Sequence, residues 1–204
     1  MLGNKKPVYY WDTCIFFAWL KNESLPPDVM GGIEHILKEN KDEKNIIITS
    51  TLMITELLEG KINNQAESIF QDCLKRPNII TISPDLPIAF EARRLRDHYY
   101  RNNGPGKTLS SPDSIHLATA IIIDAVEFHT LDKSNKGTLG LLPLSGNVAG
   151  VNLTVCKPQA PAPTAPTPET DKHQGVLKYD SYREDKYEDG WLISGRSGGA
   201  IFVG

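Results

Sequence analysis

The sequence predicts an α/β fold with a central parallel sheet covered by helices on both faces. Three observations carry this. Short runs rich in β-branched and aromatic residues recur up to about residue 157, and helix-length stretches with an apolar face separate them. The runs themselves are apolar at nearly every position rather than at alternate ones. A strand that is apolar on both sides is buried on both sides, as strands of parallel sheets are.

The first strand is Val8-Tyr9-Tyr10-Trp11, with Asp12 directly after it. Val29 to Lys38 places apolar residues at 29, 30, 33, 36 and 37, the spacing of one helix face. Ile46-Ile47-Ile48-Thr49 is the second strand, followed by helices over Leu52 to Leu58 and Ala66 to Leu74. Ile79-Ile80-Thr81-Ile82 is the third. Ser83-Pro84-Asp85 then supplies a capping residue, a first-turn proline and an acid for a helix over Ile88 to Tyr100. Ser111-Pro112-Asp113 repeats that grammar before a helix over Ile115 to Ala125. Val126 to Thr130 and Val151 to Val155 complete the set of strands.

Composition bounds what such a fold can be. At roughly 150 residues per domain, 204 residues are one domain and an appendage. Residues 158–168 contain five prolines and no charge, so they read as an extended linker between a domain over 1–157 and a short tail over 169–204, flexible or docking. With 40% hydrophobic and 23% charged residues, the chain is neither disordered nor collagenous. No apolar run approaches the ~20 residues that cross a bilayer, and the start lacks a signal-peptide core. An intracellular, cytoplasmic protein without a membrane partner is expected. Cys14, Cys73 and Cys156 form no C-x-x-C pair, which supports neither a disulfide framework nor a zinc motif. The net charge of -3 argues against a protein that coats nucleic acid. It leaves room for a nuclease whose acidic centre is offset by metal.

In an open parallel sheet the ligand site lies beyond the carboxyl ends of the strands. Four acids are placed to reach it. Asp12 follows the first strand, Glu56 lies in the helix after the second, Asp113 opens the helix before the fourth, and Asp132 follows the fourth. Carboxylates brought together repel one another. Mg²⁺ or Mn²⁺, which prefer carboxylate oxygens, would relieve that repulsion and could activate a water for phosphoryl displacement.

Asp12-Thr13 after an apolar strand, Thr55-Glu56-Leu57-Leu58-Glu59-Gly60, Ser111-Pro112-Asp113-Ser114-Ile115-His116-Leu117-Ala118-Thr119-Ala120 and Thr130-Leu131-Asp132-Lys133 resemble the ordered motifs of PIN-domain proteins, the class that includes VapC-type toxins. The resemblance spans roughly residues 7 to 156. It implies a three-layer α/β/α fold and a metal-dependent endoribonuclease with Asp12, Glu56, Asp113 and Asp132 as the acidic cluster. It also implies products with a 5′-phosphate and a 3′-hydroxyl, a homodimer and, for a toxin of a type II pair, an antitoxin partner. On this reading Asp12, Asp113 and Asp132 hold one or two ions, and Glu56 either joins them or orients and deprotonates the attacking water. After Asp132 the chain runs Lys133-Ser134-Asn135-Lys136-Gly137, where the family usually has a basic-aromatic ending.

Thr13 and Thr130 stand beside two of the acids and would hydrogen-bond them, or simply end strands. His116, one helical turn after Asp113, is either a group facing the site or a satisfied helix residue. Arg93, Arg94, Arg96 and Arg101, with Tyr99 and Tyr100 among them, suggest a basic helix for the RNA backbone with tyrosines stacking on bases. A solvated helix face is the alternative. No glycine-rich turn follows the first strand, which excludes a dinucleotide-binding site there. A rival of a different class keeps the same fold as an RNA-binding or assembly module with little or no catalysis.

Overall fold

The computed structural model describes residues 5–59, 62–103, 107–134 and 139–160. The tail over 169–204, and the linker from residue 161 on, lie outside them. The expected strands all form: β1 (Val8–Trp11), β2 (Ile46–Ser50), β3 (Ile79–Ile82), β4 (Glu127–His129) and β5 (Thr154–Cys156). They make one sheet in the order β3-β2-β1-β4-β5, with every pairing parallel. Around it lie α1 (Thr13–Leu20), α2 (Pro27–Lys41), α3 (Leu52–Glu59), α4 (Asn64–Leu74), α5 (Leu86–Asn103) and α6 (Ser111–Ile122).

Strand alternation sends each β1 side chain to one of two cores. Tyr10 joins Ile48, Leu95, Leu117, Phe128 and Val155 on the α5/α6 side. Trp11 joins Ile15, Phe16, Ile33, Ile47, Met53 and Phe70 on the side of α1 to α4. The three-layer α/β/α arrangement is therefore built from two apolar sandwiches sharing one sheet. From β1 the chain steps outward to β2 and β3, then returns past β1 to β4 and β5. The switch point of that winding lies at the carboxyl end of β1, where α/β sheets open a crevice.

Three boundaries depart from expectation for local reasons. Helix α5 is capped by Asp85, whose Oδ1 accepts the Ile88 N–H at 3.1 Å, so Ser83 and Pro84 precede it. Helix α6 is capped by Ser110 rather than Ser111. Strand β5 begins at Thr154 because Val151 spends both backbone groups on Val148, at 2.8 and 3.0 Å, in a turn with positive φ at Ala149 and Gly150. Helix α1 had no counterpart among the expected elements. Among the described residues, no helix is long and apolar enough to cross a membrane.

After β5 the chain crosses α2 at Gly32, where an added Cβ would stand 2.4 Å from the Pro158 carbonyl oxygen. At the neighbouring Gly31 a Cβ would meet nothing within 4 Å. Gly32→Ala should lower stability by about 1–3 kcal/mol through overpacking, whereas Gly31→Ala should raise it by up to about 1 kcal/mol through helix propensity. Urea unfolding midpoints of the two variants test this opposition of sign.

Candidate functional site

Asp12 sits between β1 and α1 and caps the helix, accepting the Thr13 N–H at 2.7 Å. Its own backbone N–H donates to the His129 carbonyl at 3.1 Å, which ties it to the end of β4. The Thr130 hydroxyl donates to Asp12 Oδ2 at 2.7 Å, and the Cys14 thiol to the same oxygen at 3.1 Å. The helix N-terminus favours a negative charge there. Asp12 is only 8% exposed, so these donors replace the water that the carboxylate has lost.

Glu56 projects from α3 towards α1 and α6. Its Oε2 receives the Thr13 hydroxyl and lies 3.0 Å from His116 Nε2. His116 is buried, and its Nδ1 meets the Tyr10 hydroxyl at 2.7 Å. With Tyr10 as donor to Nδ1, the imidazole N–H is left on Nε2 and points at Glu56, which closes the chain Tyr10–His116–Glu56. Burial pushes the Glu56 carboxyl up, but the bonds from His116 and Thr13 outweigh it and hold the group below the usual range. His116 is shifted the other way. Burial lowers its affinity for a proton, and the Glu56 bond with the charges of Asp12, Glu56 and Asp113 overcomes this and raises it.

Asp113 stands in the first turn of α6 in a reciprocal cap. Ser110 Oγ accepts the Asp113 N–H at 3.1 Å and donates to Asp113 Oδ2 at 2.6 Å. Asp132 is held by its backbone, its N–H donating to Thr130 Oγ1 at 3.0 Å and its Oδ2 accepting the Leu141 N–H at 3.1 Å. Burial raises the Asp113 carboxyl, the Ser110 bond opposes this, and the charges of Asp12 and Glu56 add to the rise. Asp132 is raised by burial and by the charges of Asp113 and Asp12. Asp113 thus feels the charges of Asp12 and Glu56, and Asp132 those of Asp113 and Asp12. Among the described residues, none of the three aspartates has a lysine or arginine partner within ion-pair distance.

The arginines of α5 divide. Arg94 pairs with Glu91 at 2.7 Å and donates to the Ala149 carbonyl at 3.0 Å, while Arg101 pairs with Asp97 at 2.9 Å. Arg93 and Arg96 line a groove of about 450 Å³ between α5 and α6, together with Tyr100, Ser111 and Ser114. Tyr100 is exposed, but Tyr99 is a core residue whose hydroxyl accepts the Ala149 N–H at 3.1 Å. Tyr99 is thus unavailable for stacking on a base. Sequence reasoning missed Cys14, Tyr10 and Ser110, which support acids without being acids. The polar Thr13-Cys14 pair inside an otherwise apolar stretch is the signal that was there to read.

A family model described as the PIN domain matches residues 9–136. This chain belongs to the PIN-domain family. Its members are generally nucleases. Among solved structures, the fold is similar to VapBC2 from Rickettsia felis bound to a DNA fragment from its promoter, with 18% identity and a TM-score of 0.51 over 72% of this chain and 98% of that one. It is also similar to DNA-bound VapBC from Salmonella typhimurium, with 14% identity and a TM-score of 0.48 over 73% and 98%. No curated protein sequence gives a significant match.

Because the native PIN domain raises the Asp113 carboxyl, it binds that proton more tightly than the unfolded chain does. Stability is then lost as pH rises from the unfolded value through the folded one. Asp113→Asn keeps an acceptor for Ser110 and removes the charge, so with EDTA at pH 7 it should melt a few degrees above the wild type. The gain should vanish once acid protonates the wild-type carboxyl. Thermal melts across pH measure both effects.

Proposed function

We propose that this PIN domain is a divalent-metal-dependent endoribonuclease and serves as the toxin of a toxin–antitoxin pair. The observation that supports it most is that Asp12, at the end of β1, takes hydrogen bonds from Thr13, Cys14 and Thr130 while Thr13 also donates to Glu56, and that Asp113 and Asp132 both feel the charge of Asp12. An all-carboxylate donor set without lysine or arginine partners suits Mg²⁺ or Mn²⁺. Asp12, Asp113 and Asp132 would hold the ion, which when bound makes water a stronger nucleophile and offsets charge on the scissile phosphate.

Glu56 has a separate task. Thr13 and His116 both engage Oε2, which leaves Oε1 to accept a hydrogen bond from water. A carboxyl held below its usual range is a weak base, so Glu56 orients the attacking water more than it deprotonates it. Thr130 and Cys14 fix the Asp12 rotamer, and Ser110 fixes that of Asp113. Arg93, Arg96 and Tyr100 offer a single-stranded RNA two charges and a ring along a groove that Ser111 and Ser114, on the helix carrying Asp113, also line. The antitoxin partner is an analogy with VapBC2, a similar fold solved as a complex.

Cleavage of a defined RNA panel with Mn²⁺ should fall at least about 100-fold in Asp113→Asn and stop with EDTA. Wild-type rates in either case would overturn the reading. Replacing Arg93 and Arg96 with Gln should flatten the dependence of log affinity on log salt by about 0.7 per lost phosphate contact. Fluorescence anisotropy with a labelled RNA measures that slope.

A further inference from the structure

We propose a second cation site on this chain, for a thiophilic divalent ion such as Zn²⁺, held by Glu127, His129 and Cys156 on the α2 side of the sheet. His129 and Cys156 are register partners on β4 and β5, and Glu127 lies two residues before His129 on the same strand face. The three donor atoms lie within 4.8 Å of one another. Strand pairing sets the spacing of the three positions, and the 2.7 Å hydrogen bond between His129 Nε2 and Glu127 already draws two of the donors together.

The surroundings fit a cation. Glu127 and Cys156 line a polar cavity of about 370 Å³ whose opposite wall is His35 and Glu39 on α2. His35 Nε2 is 3.6 Å from Glu39 Oε2, one helical turn away, and both side chains line the cavity that Glu127 and Cys156 border. Lys157 also lines the cavity and brings one positive charge against the carboxylates of Glu39 and Glu127. A sulfur, a nitrogen and an oxygen together select Zn²⁺ over Mg²⁺, unlike the all-oxygen set at the strand ends.

Without metal, both ring nitrogens of His129 are engaged. Trp11 Nε1, which can only donate, is 3.0 Å from Nδ1, so the ring proton sits on Nε2 and is given to Glu127 at 2.7 Å. Loading moves that proton to Nδ1, frees Nε2 and Glu127 for the ion, and releases the thiol proton to solvent. The Trp11 N–H then faces the new Nδ1–H instead of an acceptor, so the two groups must move apart, a cost the ion must exceed. In return the ion cross-links β4 to β5, an edge strand of only three residues. The site has no part in the proposed nuclease chemistry, and neither stands or falls with the other.

The test is titration of the tag-free full chain with Co²⁺, followed by displacement with Zn²⁺. The wild type should show a sulfur-to-cobalt charge-transfer band that saturates at one equivalent, whatever further Co²⁺ the strand-end acids take up. Cys156→Ser should lose the band and weaken Zn²⁺ binding at least about 100-fold. Glu127→Gln, a more exposed position that guards against misfolding of the first variant, should keep the band and bind about 10–100-fold more weakly. Asp113→Asn should leave the band, and the Zn²⁺ concentration that displaces it, unchanged. Zn²⁺ at a hundredfold excess over Kd should raise the melting temperature of the wild type by about 5 °C more than that of Cys156→Ser. A wild type without the band, a band that survives Cys156→Ser, or one lost in Asp113→Asn would overturn the proposal.

Discussion

The carboxylate of Asp12 is the joint on which the strand-end geometry depends. It is nearly buried, it caps the helix that starts directly after β1, and it takes hydrogen bonds from Thr13, Cys14 and Thr130. Through its backbone it also holds β4. One side chain thus fixes the direction of α1 and the approach of the Thr130 to Asp132 segment. A neutral residue there would leave several buried donors without an acceptor, and such loss costs more than the bonds contribute when made.

Around that joint the domain opposes like charges with hydroxyl groups placed two or three residues before Asp113 and Asp132. Ser110 donates to the Asp113 carboxylate, and Thr130 accepts the Asp132 N–H while donating to Asp12. Glu56 is held apart from the three aspartates in character. It is the acid with an imidazole partner and the one whose carboxyl lies low, whereas Asp113 and Asp132 lie high. Environments that push titratable groups in opposite directions divide roles within a single cluster.

The parallel sheet was legible because its strands are apolar on both faces, and the four acids because topology assigns them to strand ends. Helix α1 was not. Ile15, Phe16 and Ala18 are buried and the stretch is apolar nearly all round, so no periodic contrast marks it as a helix. On α5, local pairs with Glu91 and Asp97 engage Arg94 and Arg101, which the basic stretch in the sequence does not reveal. No spacing rule in a single sequence forecasts which arginine finds a partner. Tyr10 and Tyr99 were lost to the same limit, since each hydroxyl answers a group far away in the chain. The Glu127, His129 and Cys156 donors escaped for a further reason. Metal motifs are recognised by local spacing, and these ligands are brought together only by the pairing of two strands.

The pairing of β1 with β4, in which Trp11 lies beside His129, has a consequence in time. The strand made first is completed by one of the last, and the four acids come from four separate stretches between Asp12 and Asp132. During synthesis at ~5–20 residues per second, the ribosome needs roughly 6–24 s to travel from the first acid to the fourth. Throughout that interval the nascent chain carries the parts of an acidic cluster and no cluster. For a proposed nuclease made in a cell full of RNA, the winding of the sheet delays assembly of the site until the domain is almost fully translated.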